Sequence, residues 1–178
     1  MSRWAAGGAD GADGAAKGAD TAPAGRPPLS LRGRALRLLS QREHSRAELE
    51  RKLQTHELRE GELQEVLDAL QARGFIDDER VADSLVNRRS AKLGARRVQA
   101  ELQAKGLDEA LVREAVAPLR ETELARARAV WQKKFGRPAT DLAGRARQMR
   151  FLAARGFSAE VVRQAVNATD DEACEQDD

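Results

Sequence analysis

Two clusters of basic residues carry the chemistry that this sequence most clearly offers, which is the binding of phosphate. They lie in NRRSAKLGARR (87–97) and WQKKFGRP (131–138) and consist of Arg88, Arg89, Lys92, Arg96, Arg97, Lys133, Lys134 and Arg137. Lys and Arg side chains donate hydrogen bonds to phosphate oxygens and neutralise their charge. We therefore predict that these residues contact a phosphate-bearing partner. The alternative is that they only stabilise helix C-termini, whose dipoles favour nearby cations.

Groups suited to catalysis or metal binding are scarce. The two histidines, His44 and His56, have no Cys neighbour and no second His at metal-ligand spacing, so we predict that each is a polar helix-end residue. Asp77 and Asp78 are consecutive, and consecutive helical residues do not face one site. Phosphate-binding glycine loops and the common hydrolase motifs do not occur. The sequence predicts a binding protein without catalytic residues, metal or cofactor.

Four aromatic residues near the second cluster have two possible roles. Trp131, Phe135, Phe151 and Phe157 recur at helical spacing beside Leu and Val. Aromatic rings can stack on nucleic-acid bases, but this spacing is more typical of a helical core. We predict that they are core residues and keep base stacking as the alternative.

Charge is unevenly distributed along the chain. Residues 121–168 contain 10 basic and 4 acidic side chains, whereas residues 34–76 contain 8 of each. The end of the chain, DDEACEQDD (170–178), contains six acidic residues and no basic one. A basic body with an acidic end indicates a polyanionic partner, with a merely solubilising tail as the alternative.

The elements that must position these residues are predicted to be helices. From residue 34 onward, apolar residues recur at helical spacing, and three stretches (45–70, 94–119 and 144–169) can be superimposed position by position. An amphipathic segment precedes each stretch, so each repeat predicts three short helices. We predict an all-α protein of three tandem three-helix repeats that form an elongated, curved body. The predicted ranges are a disordered tail at 1–33, repeats at 34–76, 77–120 and 121–168, and an acidic disordered tail at 169–178.

The segment GFIDDERV (74–81) shows how two repeats are predicted to join. Gly74 ends one helix, and Asp77 caps the next. Ile76 is placed to pack on Val81 as a hydrophobic staple. Ser45 with Glu48 has the pattern of a capping box at an earlier helix start.

The remaining composition limits the class of protein. The single cysteine, Cys174, has no partner for an internal disulfide or a cysteine metal site. No apolar run approaches the roughly 20 residues of a membrane span, and the first residues lack the apolar core of a signal peptide. We expect a soluble cytoplasmic protein.

Five stretches, in this order and spacing, resemble the RecX family. They are ALRLLSQREHSRAELERKL, ARGFIDDERVADSLVNRR, GARRVQAELQAKG, KKFGRP and MRFLAARGFSAEVV, and the resemblance covers about residues 34–168. The resemblance implies a regulator of the RecA recombinase that acts in DNA recombination, DNA repair and the SOS response. Such a protein binds the filament of RecA on single-stranded DNA and limits ATP hydrolysis, strand exchange and co-protease action. It also implies direct contact with single-stranded DNA, with double-stranded DNA as a further ligand, and we expect a monomer.

Two other functions are compatible with the residues. A three-helix unit resembles a helix-turn-helix, which would make the chain a DNA-binding regulator, but no helix has base-reading residues at the required spacing. A helical scaffold that binds only proteins is the other alternative. It would not need the positive charge concentrated at 121–168.

Overall fold

A computed structural model describes residues 29–173, with side chains described through residue 167. This part of the chain contains nine α-helices and no β-strand, so the predicted all-α class is confirmed. A single 3₁₀ turn, Gln54–His56, follows the second helix. The helices are α1 Leu31–Leu39, α2 Arg46–Leu53, α3 Glu62–Ala72, α4 Asp78–Arg89, α5 Ala95–Ala104, α6 Glu109–Glu121, α7 Glu123–Lys134, α8 Leu142–Ala153 and α9 Ala159–Ala173.

The helices form three units, each with its own apolar core. The first unit (α1–α3) buries residues such as Leu49, Leu53 and Leu67. The second (α4–α6) buries Val98 and Leu102 among others. In the third (α7–α9) the core residues are Ala127, Trp131, Leu152, Phe157, Val162, Ala165 and Val166. The prediction of three three-helix repeats is therefore confirmed.

Local capping signals account for most helix boundaries. Ser45 and Glu48 form the predicted capping box: Ser45 Oγ accepts from the Glu48 N–H, and the Glu48 carboxylate accepts from the Ser45 N–H. The Asp77 carboxylate accepts from the Arg80 N–H at 3.1 Å. Gly74 has φ +71°, the left-handed conformation expected of a glycine after a helix. The predicted staple was wrong, because Ile76 packs in the core of the first unit and Val81 in that of the second.

The ends of the helical body differ from the predicted ranges. Helix α1 begins at Leu31, inside the predicted tail 1–33, because Ser30 caps its N-terminus and Leu31 is buried. Helix α9 continues to Ala173, so residues 169–173 are helical rather than the start of a separate tail. The remainder of both predicted tails, 1–28 and 174–178, lies outside the described residues.

Consecutive units are joined at both junctions by a hydrogen bond between equivalent residues, although the donor is a side chain at the first and the backbone at the second. The N-terminus of the second helix of one unit packs on the turn that ends the second helix of the next. At the first junction, Ser45 Oγ donates to the Lys105 carbonyl at 2.6 Å. At the second, the Gly94 N–H donates to the Arg155 carbonyl at 3.0 Å. Ser45 and Gly94 are equivalent positions in the superimposed repeats, so the junction geometry repeats with the sequence.

Glycines allow the backbones to approach at both junctions. A Cβ added to Gly106 would lie 2.6 Å from the Cβ of Ala47. A Cβ added to Gly94 would lie 2.3 Å from the carbonyl carbon of Gly156. Real Cβ atoms essentially never come this close to another heavy atom. The units are therefore held at a spacing that side chains at these positions would prevent.

Candidate functional site

The predicted site residues are exposed and lie around the ends of helices near the two junctions. The structure divides most of them between two grooves. We call the one at the second junction the lysine groove; it is lined by Ala91, Lys92, Ala129, Val130, Lys133, Lys134, Phe151 and Arg155. We call the other the arginine groove; it is lined by Arg42, Leu85, Arg88, Arg89, Glu101, Ala104 and Lys105.

The lysine groove is assembled from two units and has a volume of about 480 Å³. Lys92 comes from the turn between α4 and α5 in the second unit. Lys133 and Lys134 come from the last turn of α7 in the third. Arg126 holds these parts together, because its guanidinium donates to the carbonyls of Ser90 at 2.7 Å and Leu93 at 2.6 Å, on either side of Lys92.

The three lysines of this groove have uncompensated charge. Within the part of the chain whose side chains are described, Lys92, Lys133 and Lys134 form no ion pair. Ammonium groups gathered in a groove create a positive potential that attracts anions. The C-terminal dipole of α7 also favours Lys133 and Lys134 at this place, so stabilisation of the helix and binding of an anion are compatible roles.

The floor of the lysine groove is apolar and partly aromatic. Phe151 is only partly buried, and the Cζ atom of Arg155 lies 3.6 Å from the centroid of its ring. The ring of Phe135 meets Phe151 edge-on with centroids 5.0 Å apart. Trp131 and Phe157 are fully enclosed in the third core, as predicted. The aromatic residues therefore divide into two core residues and a pair that reaches the surface.

Arg155 was not singled out from the sequence, although it lines the same groove. It stands alone between alanine and glycine in LAARGF, so no local cluster marks it. The repeat pattern contains a signal, because Arg155 is equivalent to Lys105, and both residues precede a left-handed glycine at a junction. Comparison of the repeats at their junction turns, rather than in their helices, would have identified it.

The arginine groove is smaller, at about 290 Å³, and its charges are partly neutralised. Arg89 Nε lies 3.1 Å from Glu101 Oε2. The same carboxylate also pairs with Arg97, which lies outside the lining, with Arg97 Nε 3.6 Å from Glu101 Oε1. The basic cluster at 87–97 is divided between the grooves, because α4 ends at Arg89 and the following turn carries Lys92 to the other groove. This groove is a weaker anion site than the lysine groove.

The three other predicted residues, Arg96, Arg97 and Arg137, line neither groove. Arg96 is exposed in the first turn of α5. Arg137 is exposed just after α7, and its backbone carbonyl accepts from Gln148 Nε2 at 3.0 Å. Gln148 is buried and accepts from Trp131 Nε1 at 3.2 Å, which fixes the loop that carries Arg137 to the third core.

A buried ionic cluster lies behind the arginine groove at the first junction. Glu48 is buried and accepts from Arg42 Nη2 at 3.1 Å and from Lys105 Nζ at 2.9 Å. Burial alone would raise the pKa of Glu48, but the hydrogen bonds from Arg42, Lys105 and the Ser45 N–H outweigh it and lower the pKa to about 2. The first and second units thus share a carboxylate that stays ionised.

His44 belongs to this cluster and differs from its prediction as an ordinary polar helix-end residue. It does precede α2, but it is buried, and its Nδ1 has no hydrogen-bond partner within the described chain. Nδ1 lies 3.8 Å from Glu48 Oε2. Burial and the positive charges of Arg42, Lys52 and Lys105 lower the pKa of His44, against the opposing effect of Glu48.

We predict that His44 makes stability depend on pH below its unfolded-state pKa of about 6.5. Because the folded state lowers this pKa, the unfolded state binds the proton more readily, and the free energy of unfolding falls as the pH drops below 6.5. One such group contributes at most about 1.4 kcal/mol per pH unit. Urea unfolding at pH 7.5, 6.5, 5.5 and 5.0 should give a shallower dependence for His44→Leu than for the parent. Equal slopes would show that His44 is not buried uncharged at the junction.

The described residues contain neither a metal-binding cluster nor a membrane-spanning helix. No group of three or more His, Cys, Asp or Glu side chains that could hold a metal ion occurs among the described residues. Within the same residues, no helix is long and apolar enough to cross a membrane.

Three models of a known family match the chain in consecutive segments. The description "RecX, first three-helix domain" matches residues 32–70. The second three-helix domain of RecX matches residues 77–116, and the third matches residues 121–166. Together the matched segments cover more than half of the sequence.

Individual proteins give the same result. The chain is 50% identical over 147 residues to the regulatory protein RecX of Leptothrix cholodnii, a match that covers 83% of this chain and 94% of the relative. It is 40% identical over 152 residues to the regulatory protein RecX of Neisseria meningitidis serogroup B, covering 85% and 99% of the two chains. A crystal structure of RecX from Lactobacillus salivarius has the same fold, with a TM-score of 0.66, 20% identity, and coverage of 79% of this chain and 94% of that one.

Proposed function

The chain belongs to the RecX family of regulatory proteins, and we propose that it regulates the RecA recombinase by binding the filament that RecA forms on single-stranded DNA. In this role it limits ATP hydrolysis, strand exchange and co-protease action by the filament. It acts as a cytoplasmic monomer and through binding alone.

The observation that carries this proposal is the lysine groove. Lys92, Lys133 and Lys134 converge at one junction without carboxylate partners among the described side chains. A nucleoprotein filament presents phosphates along its length, and uncompensated cations are attracted to phosphates through counterion release. Arg96 and Arg97 lie in the first turn of α5, and Gly94, just before this helix, donates to the carbonyl of Arg155, so both residues add positive charge near the same junction.

The arrangement of units suits a filament as the partner. Successive three-helix units joined by a repeated contact present an extended face, and a filament presents its own repeating protomers to such a face. Binding changes activity only if the protein prefers one state of the filament over another. Inhibition therefore follows if the chain binds a state of the filament in which ATP hydrolysis is slow.

We predict that two alanine pairs weaken inhibition without unfolding the protein. Lys133→Ala/Lys134→Ala and Arg96→Ala/Arg97→Ala each remove two surface cations, and an exposed charge contact contributes up to about 1 kcal/mol. The protein concentration that halves DNA-dependent ATP hydrolysis by RecA should rise about tenfold for each pair. The free energy of unfolding, measured by thermal unfolding, should change by no more than about 0.5 kcal/mol.

The matched control removes two exposed cations that line neither groove. Arg73→Ala/Arg113→Ala makes the same change in net charge and should inhibit like the parent. Parental inhibition by both test pairs, with the fold intact, would show that these clusters serve only as solvated helix ends. An equal loss for the control would show that net charge matters and the groove does not.

A further inference from the structure

The lysine groove combines two surfaces that a phosphate group alone does not need. Its lining contains three cations, Lys92, Lys133 and Lys134, which we call the rim, and the apolar residues Ala129, Val130 and Phe151, which we call the floor. Inorganic phosphate or a duplex backbone uses a cationic rim and leaves such a floor exposed to water. A ligand that uses both surfaces carries a phosphate and an apolar planar group close together.

We propose that the lysine groove is a binding site for a nucleotide of single-stranded DNA, with the base stacked at Arg155 and Phe151 and the phosphates on the lysine rim. The inference rests on the proposed function and specifies how its DNA partner is held. Duplex DNA is disfavoured as the occupant because paired bases are stacked on each other and do not offer their faces.

Arg155 is fixed in a position suited to stacking. Its guanidinium lies over the Phe151 ring at 3.6 Å, and its Nη1 donates to the Phe151 carbonyl at 3.3 Å. Phe135 also packs against Phe151, with the two rings in a T-shaped arrangement and their centroids 5.0 Å apart. The guanidinium is planar, and nucleic-acid bases stack on such planes as well as on aromatic rings.

The groove has a volume that suits a nucleotide, and it is formed only where the second and third units meet. Its volume of about 480 Å³ lies within the range of roughly 300–1,000 Å³ that is typical of sites for small ligands. This volume suits one or two nucleotides rather than a long segment. Ala91 and Lys92 belong to the second unit and the other lining residues to the third, so the site exists only while that junction is closed.

The test compares two fluorescent oligonucleotides of equal length on the bare protein, without RecA. One is oligo(dT), and the other is an abasic strand that keeps the phosphates and lacks the bases. Base stacking contributes roughly 1–3 kcal/mol per base, so the parent should bind oligo(dT) at least about fivefold more tightly. Equal affinity for the two strands overturns the inference.

Two kinds of variant separate the floor from the rim. Arg155→Lys keeps the charge and removes the planar group, so it should lose the preference for oligo(dT) while it binds the abasic strand like the parent. Lys133→Ala/Lys134→Ala should weaken binding of both strands equally and reduce the salt slope by about 0.7 for each lost phosphate contact. A parental preference in Arg155→Lys, with parental thermal unfolding, overturns the assignment of Arg155.

Polyglutamate distinguishes the main competing occupant, an acidic protein surface. If polyglutamate displaces oligo(dT) as effectively as an equal charge of unlabelled oligo(dT) does, the groove recognises charge only, and the inference is wrong. Inhibition of RecA by the same Arg155→Lys protein is measured separately. If the parent shows no base preference and inhibition of RecA persists, the proposed function still stands, and only the nucleotide site is wrong.

Discussion

Gly94→Ala should lower the midpoint of thermal unfolding by roughly 5–10 °C, although it adds only one methyl group. The new Cβ would lie 2.3 Å from backbone atoms of Gly156 and Phe157. Overpacking of this kind costs typically 1–3 kcal/mol or more, because backbone cannot move aside as a flexible side chain can. In a domain of this size, each kcal/mol shifts the midpoint by about 2–4 °C.

The conformation of Gly94 makes this substitution a clean test of the junction. Its φ of −73° and ψ of 162° are accessible to alanine, so any loss of stability comes from the clash and not from backbone strain. Gly156 has φ +84°, so its replacement by alanine would combine a clash with backbone strain. Because the units share this contact, Gly94→Ala should also disrupt the lysine groove.

Gly33→Ala is the matched control. Gly33 lies inside α1, and an added Cβ would be 3.4 Å from Ser30 Oγ, which is ordinary contact. Alanine in place of a helical glycine stabilises by about 0.5–1 kcal/mol, so the midpoint should stay the same or rise. If Gly94→Ala melts like the parent, the second and third units do not pack in solution as they do here.

The repeats and their caps could be predicted from sequence because their causes are local. Apolar residues at helical spacing define the helices, and Ser45, Asp77 and Gly74 mark boundaries through contacts within a few residues. Such patterns remain visible without knowledge of how the chain folds back. The start of α1 was misplaced because its cap, Ser30, lies among residues of tail-like composition.

The junctions could not be predicted because their partners are distant in sequence. The carboxylate of Glu123 is buried and accepts from the Ala95 N–H at 2.9 Å, so a residue of the third unit caps a helix of the second. Arg126 reaches the Ser90 carbonyl in the same way. Neither residue differs in the sequence from an ordinary charged residue on a helix surface.

The candidate site was predictable only where its residues are neighbours in the sequence. Lys133 and Lys134 were identified because they are adjacent in sequence, and the structure places them beside Lys92. Arg88 and Arg89 belong to the same sequence cluster as Lys92, but they line the other groove, where Glu101 pairs with Arg89. A cluster in the sequence shows where charge is concentrated and does not show which surface receives it.

Lys133→Glu/Lys134→Glu should have the largest effect on function. Reversing two charges removes the attraction of the rim for phosphate and adds repulsion, and like charges placed together at an interface cost up to several kcal/mol. Affinity for the RecA–DNA filament should fall at least about thirtyfold, or roughly 2 kcal/mol. Both side chains are exposed, so the fold should persist.

The control for this reversal is Arg73→Glu/Arg113→Glu, which makes the same change in net charge at exposed positions outside both grooves. Circular dichroism and thermal unfolding of both variants confirm that each is folded. A comparable loss of affinity in the control would assign the effect to overall charge.

The proposed function requires that the chain bind the assembled filament, and co-sedimentation measures this binding. RecA filaments are formed on single-stranded DNA with a non-hydrolysable ATP analogue and pelleted with increasing concentrations of the protein, beside RecA without DNA. We expect the parent to pellet with filaments and to stay in solution with unassembled RecA. Lys133→Glu/Lys134→Glu should need about thirtyfold more protein for the same fraction bound. A parent that stays in the supernatant, or a reversal variant that pellets like the parent, would contradict these expectations.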